Sequence, residues 1–284
     1  MSRPSTATRK LEKVYEEVKN IAVECPINGQ EIYGPNHVES TDILLSIGML
    51  HEEEWHPQQA LELYQRALAI NEPLKGQGNI TVVIIKIYMI RVYKSLQKFE
   101  EAFALDEAIK PRVLQNHGRN SVKYYEVVKE EAYLVWELMQ YTSSLKLFKE
   151  ALPVDARELG RLSEDVFADM RSISFLHASL ENSEEASSII DDVLLRTEEK
   201  FQAPHQCIVD HLYIAGDIYN SLFQFEKAEG LIRRALAMQL ELVDDKEEHL
   251  FVTKVKTHLA RNRFEQGFLD ESIEIYEQVI DTLI

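Results

Sequence analysis

The chain has 284 residues, 45% of them hydrophobic and 28% charged, a composition able to bury a core and too apolar for wholesale disorder. Its 10 glycines and 8 prolines are about half the usual share, which argues against a turn-rich all-β fold. The 31 basic and 48 acidic residues give a net charge of −17, which excludes general affinity for nucleic acid or anionic membrane surfaces. No apolar run is long enough to span a membrane, and Met1–Lys10 lacks the apolar stretch of a signal peptide. The two cysteines, Cys25 and Cys207, form no CxxC pair, so a reducing, cytoplasmic setting without a disulfide framework is expected.

Residues 1–8 are rich in Ser, Thr, Pro and Arg and are expected to be a disordered tail. Over 9–36, Leu11, Val14, Tyr15, Val18 and Ile21 share one helical face, which predicts a capping helix followed by a loop. An internal repeat then takes over. Gly34, Gly76, Gly118 and Gly160 recur at steps of 42 residues. Ala60, Ala102, Ser144, Ala186 and Ala228 do the same, and Ser272 follows after 44. Segments starting at this second column align as ALELYQRAL, SLKLFKEAL, ASSIIDDVL, AEGLIRRAL and SIEIYEQVI, with apolar residues at the three- and four-residue intervals of a helical face.

A second helix precedes each of these, for example DILLSIGMLHEE from Asp42 and LYIAGDIYNSL from Leu212. A small residue stands twelve positions before the alanine column, as Gly48, Ala132, Ser174, Gly216 and Ala260, where two helices are expected to cross closely. The second repeat departs from this pattern, with Ile90 at the small position and Asp106 where others carry Tyr64, Phe148, Ile190, Ile232 and Tyr276. Pro111 and Pro153 fall inside predicted helices and are expected to kink or break them. The acidic run Asp244–Glu248 reads as a solvated linker. The resulting expectation is six helix pairs over 37–78, 79–120, 121–162, 163–204, 205–246 and 247–284. No pair buries its apolar face alone, so the pairs must stack into an all-α solenoid. The apolar pattern runs on to Leu283 and Ile284 without a polar cap, so a fragment of a longer chain, a partner contact or self-association through the last helix is expected.

The small–aromatic–small spacing of Gly48, Ala60, Tyr64 and Ala67, repeated as Gly216, Tyr219, Ala228 and Ala235, resembles the tetratricopeptide repeat. The 42-residue period and the Tyr33-Gly34-Pro35-Asn36-His37 junction are similar to the longer repeats of kinesin light chain. That resemblance implies a right-handed superhelix whose first helices line a concave groove. It places in the groove Tyr88, Arg91, Lys94, Lys129, Tyr133, Trp136, Arg171, Phe175, Tyr213, Asn220, His258 and Arg261. Among the projected positions five are basic and two, Glu52 and Asp217, are acidic, opposite in bias to the chain. Aromatic anchors among cations suit an acidic peptide with an apolar anchor.

Phosphate loops, dinucleotide fingerprints, nucleophile elbows and HExxH motifs do not occur, so an enzyme and a cofactor are not expected. His51 and His56 are five residues apart across a predicted turn, rather than the three or four that align zinc ligands on a helix, and no metal site is expected there. The functional expectation is a non-catalytic adaptor or scaffold for a protein or peptide partner. A regulatory sensor that closes on a peptide or small ligand, and a structural segment of a larger protein, stay open beside it.

Overall fold

The computed structural model describes residues 40–244, 246 and 249–283. The tail and capping helix expected over 1–36 lie outside the described residues, as does most of the acidic linker. Every described element is a helix. The chain divides into two compact units at Met139/Gln140. In the first, α1 (Ser40–Glu53), α2 (Pro57–Lys75), α3 (Ile80–Ser95), α4 (Phe99–His117) and α5 (Val122–Glu137) pack each against the next, and α3 also touches α5. The second unit holds α6 (Tyr141–Glu158), α7 (Glu164–Ser179), α8 (Ser183–Lys200), α9 (Gln206–Ser221), α10 (Phe225–Leu242), α11 (Leu250–Glu265) and α12 (Leu269–Leu283). Consecutive helices again pack, and α9 touches both α7 and α11. Among the described residues, no helix is long and apolar enough to cross a membrane.

The two sequence columns have separate physical causes. Ala60, Ala102, Ala186 and Ala228 are fully buried at helix crossings. A Cβ on Gly48 would come within 2.2 Å of the Tyr64 ring, and one on Gly216 within 2.5 Å of Ile232, so the small residue makes room for the large one sixteen positions on. Where the small residue is serine or faces one, the hydroxyl is bonded across the crossing: Ser174 Oγ donates to the Ala186 carbonyl at 2.7 Å, and Ser272 Oγ to Ala260 at 2.9 Å. The second repeat exchanges the sizes. Ile90 and Asp106 are both buried, the larger side chain now on the first helix and the smaller on the second.

The glycine column terminates second helices. Gly76 (φ 80°, ψ 158°) and Gly118 (φ 77°, ψ 163°) occupy a region open essentially to glycine alone. Three residues later stands a side chain that caps the next helix. Asn79 accepts from the Thr81 amide, Ser121 from Tyr124, Ser163 from Val166, His205 from Cys207 and His249 from Phe251.

The breaks expected at the prolines do not occur. Helix α4 runs unbroken through Pro111 and α6 through Pro153, as α2 does through Pro73. Pro111 and Pro153 are exposed, and so are Glu107 and Lys149, the residues whose carbonyls lose their intrahelical donors.

Candidate functional site

In the first unit the expected residues cluster on α3 and α5. Glu130 of α5 is buried, and one of its oxygens accepts from Arg91 Nε at 2.7 Å and lies 2.6 Å from Nη2. Burial opposes the guanidinium's charge, but the adjacent Glu130 carboxylate outweighs it and raises the Arg91 pKa. The guanidinium lies 5.7 Å from the centre of the Tyr88 ring, which stacks on Tyr64 at 5.4 Å. The Tyr64 hydroxyl donates to Glu52 at 2.5 Å, and burial raises the pKa of both groups. One turn on, Lys94 Nζ sits 4.8 Å from the centre of the Tyr133 ring, and Tyr133 stacks on Trp136 at 6.4 Å. Burial lowers the Lys94 pKa. Lys129 is half-buried on the same helix as Tyr133 and Trp136.

In the second unit Arg171 of α7 lies 2.8 Å from Glu164 and donates to Nε2 of His211 on α9. His211 Nδ1 in turn meets Thr197 Oγ1 at 2.6 Å. Burial first, and Arg171 second, lower the His211 pKa. Phe175 packs against the α7–α8–α9 core. Tyr213 stacks on His258 of α11 at 4.3 Å, His258 Nδ1 pairs with Asp217 at 2.9 Å, and Lys254 Nζ lies 5.1 Å from the centre of the Tyr213 ring. Arg261 pairs with Glu265 at 2.8 Å.

The twelve expected residues thus fall into two local groups, one per unit. Arg91 and Arg261 are exposed, while Tyr88, Lys94, Lys129, Tyr133, Trp136, Arg171, Phe175 and His258 are half-buried. Two belong to the interior instead. Tyr213 keeps little surface, and Asn220 is 1% exposed, accepting a hydrogen bond from Asn262 Nδ2 at 2.7 Å. The arginines also have acidic neighbours. Each of the three arginines carries a glutamate, Glu130, Glu164 or Glu265, that projection onto three positions per helix passes over. Glu130 occupies the repeat column of Tyr88 and His258, so the neighbouring column held the signal.

The turn expected between His51 and His56 is present. The Trp55 backbone reverses at φ 60°, and the His56 amide donates to the His51 carbonyl at 2.8 Å. The turn therefore folds the two rings to 6.1 Å, edge to face, with Glu54 beside them.

No family model matches the chain, and no curated protein matches it. Solved structures do. BtubC (BKLC) from P. vanneervenii aligns with TM-score 0.61 and 18% identity over 84% of this chain and 93% of that one. The apo form of the quorum sensor NprR from B. thuringiensis aligns with TM-score 0.62 and 15% identity over 97% and 80%. A signal transduction ATPase with numerous domains from Pyrococcus horikoshii, bearing a tetratricopeptide repeat sensor, aligns with TM-score 0.62 and 15% identity over 95% and 40%. At these identities the likeness concerns architecture. Helix pairs packed in succession, with starts at Ile80, Val122, Glu164 and Gln206 spaced by the 42 residues of the sequence repeat, give the chain the tetratricopeptide-like solenoid fold.

Proposed function

We propose that the chain is a non-catalytic interaction module, six repeats over 37–284, that binds a peptide segment of a protein partner. The observation that carries this reading is the row Arg91, Lys94, Tyr133 and Trp136 of the first unit. Its cations are already ordered, one by the buried Glu130 carboxylate and one over an aromatic face. Half-buried aromatics and pre-oriented cations lose little entropy on binding, which is the usual make-up of an interface hot spot. The chemistry favours an acidic segment with an aromatic or aliphatic anchor. A carboxylate can share the exposed edge of Arg91 while Glu130 holds the other edge.

The test is a fluorescence-anisotropy screen of peptides carrying Asp or Glu around a Phe or Leu anchor, against Lys-substituted counterparts. Acidic peptides are expected to bind selectively, and Lys94→Gln with Lys129→Gln to weaken them at least about tenfold with unchanged helical circular dichroism. Absence of selectivity, or affinity indifferent to both substitutions, rejects the reading. The likeness to the NprR sensor supports a second reading, in which the ligand changes the compactness of the chain. Small-angle scattering with and without the selected peptide separates the two, because a fixed adaptor keeps its radius of gyration.

A further inference from the structure

Three metal-binding side chains converge at the turn between α1 and α2. His51, Glu54 and His56 each offer one donor atom, and all three atoms lie within 4.8 Å of one another. The backbone beneath them is fixed by hydrogen bonds from Glu54 N to Leu50 O at 3.0 Å, Trp55 N to Glu52 O at 3.1 Å and His56 N to His51 O at 2.8 Å. A reversed turn of this kind recurs at each intra-repeat junction, with Gln97, Met139, Glu181 and Phe223 at φ of 58 to 60°. The chain therefore supplies its own comparison for what such a turn normally carries.

At the position of Glu54 the next four turns carry Leu96, Leu138, Leu180 and Leu222. At the position of His56 they carry Lys98, Gln140, Asn182 and Gln224. His51 is less distinctive, since His177 fills the same place in the fourth repeat. The first turn alone combines two imidazoles with a carboxylate. It does so by placing a carboxylate where the next four turns carry a leucine, buried in the fifth repeat (Leu222) and exposed in the third (Leu138), and where the sixth turn carries Gln266. At a turn position that is exposed here, packing is nearly indifferent to that exchange, whereas coordination gains a ligand.

We infer that His51, Glu54 and His56 form a binding site for a divalent transition-metal ion of the zinc class. Two nitrogens and one carboxylate oxygen suit Zn²⁺, Co²⁺ or Ni²⁺ and disfavour Ca²⁺ and Mg²⁺, which take all-oxygen shells. Metal–ligand bonds of about 2.1 Å put tetrahedral donors roughly 3.4 Å apart. Glu54 and His56 are exposed, so the remaining gap is one for their side chains to close by rotation. Water completes the shell. The ion clasps the end of α1 to the start of α2 and stabilises that pair by mass action.

The test uses the full chain stripped with chelator and titrated calorimetrically with ZnCl₂ in phosphate-free buffer, with CoCl₂ as a spectroscopic probe. Wild type is expected to bind one Zn²⁺ and to show Co²⁺ visible absorption that Zn²⁺ displaces. Glu54→Leu and His56→Gln install residues that the protein's other turns already use, so both variants should fold. Each is expected to weaken Zn²⁺ at least about tenfold, while Glu54→Leu leaves metal-free thermal stability equal or higher. Absence of heat and absorption in wild type at millimolar metal overturns the site. So does unchanged affinity in the double variant, which places the ion on other histidines.

Discussion

At the residue scale, backbone sign matters most where side chains matter least. Gln97 and Glu181 are exposed, yet their φ values of 58° and 60° lie in the left-handed region, which costs an L-residue about 1–2 kcal/mol. The sixth turn uses Gly267 (φ 88°) at that place. Gln97→Gly and Glu181→Gly are each expected to raise stability by about 0.5–1 kcal/mol after the added unfolded-state entropy of glycine, read as a higher urea midpoint at unchanged slope. Gly118 also has positive φ, but its ψ of 163° closes that region to side chains. Gly118→Ala should therefore cost roughly 1–3 kcal/mol although a Cβ there meets nothing within 4 Å. A neutral Gly118→Ala would show that open space, rather than dihedral strain, governs the junction.

Asp106 is the residue-scale counterpart in the core. It is 1% exposed, its Oδ1 has no hydrogen-bond partner, and Lys110 Nζ stands 3.9 Å from its Oδ2. Burial, partly offset by Lys110, pushes its pKa from 3.8 to about 7. A carboxyl whose folded pKa is raised contributes stability that is fully present below its unfolded pKa and lost as pH rises through the folded value. Thermal stability should thus fall across pH 4 to 7 on this group's account, and Asp106→Asn should remove that slope. A variant that follows the wild-type profile at every pH would assign the slope to other groups.

At the element scale, what the sequence revealed depended on whether a position demands one property or one residue. Helix crossings demand smallness, which Gly48, Ser174, Gly216 and Ala260 all display, so the repeat was visible without coordinates. The helix caps demand an acceptor in the right place. Asn79, Ser121, Ser163, His205 and His249 meet that demand with three residue types, and the column vanished behind their differing identities. The arginine partners stayed hidden for another reason. Projection onto three groove positions leaves out Glu130 one column away, Glu164 seven residues before Arg171 and Glu265 one turn beyond Arg261. Pro111 and Pro153 leave their helices unbroken because both lie on exposed faces, which the sequence alone does not show. Gly48→Ala tests the crossing itself. Its Cβ would press on the fully buried Tyr64 ring, and a loss of about 1–3 kcal/mol is expected, with the α1–α2 amides losing hydrogen-exchange protection first.

At the scale of the whole molecule, the net charge of −17 meets an apolar surface on α12. Leu269, Ile273, Tyr276 and Ile280 form an exposed stripe at steps of four, three and four residues. Asp270, Glu274, Glu277 and Asp281 repeat those steps one residue on, and α12 carries no Lys or Arg to offset them. Burial of the stripe favours association of two copies, while the acid row and the overall charge oppose it. Salt separates these contributions, because the screening length falls from about 30 Å at 0.01 M to about 3 Å at 1 M and apolar burial is not weakened. Sedimentation velocity is therefore expected to show monomer at low salt and a growing dimer fraction at high salt, and Ile273→Glu with Ile280→Glu should leave monomer at both. Dimer that dissolves as salt rises would mean an ionic interface elsewhere, since only an apolar contact between like-charged surfaces strengthens when charge is screened.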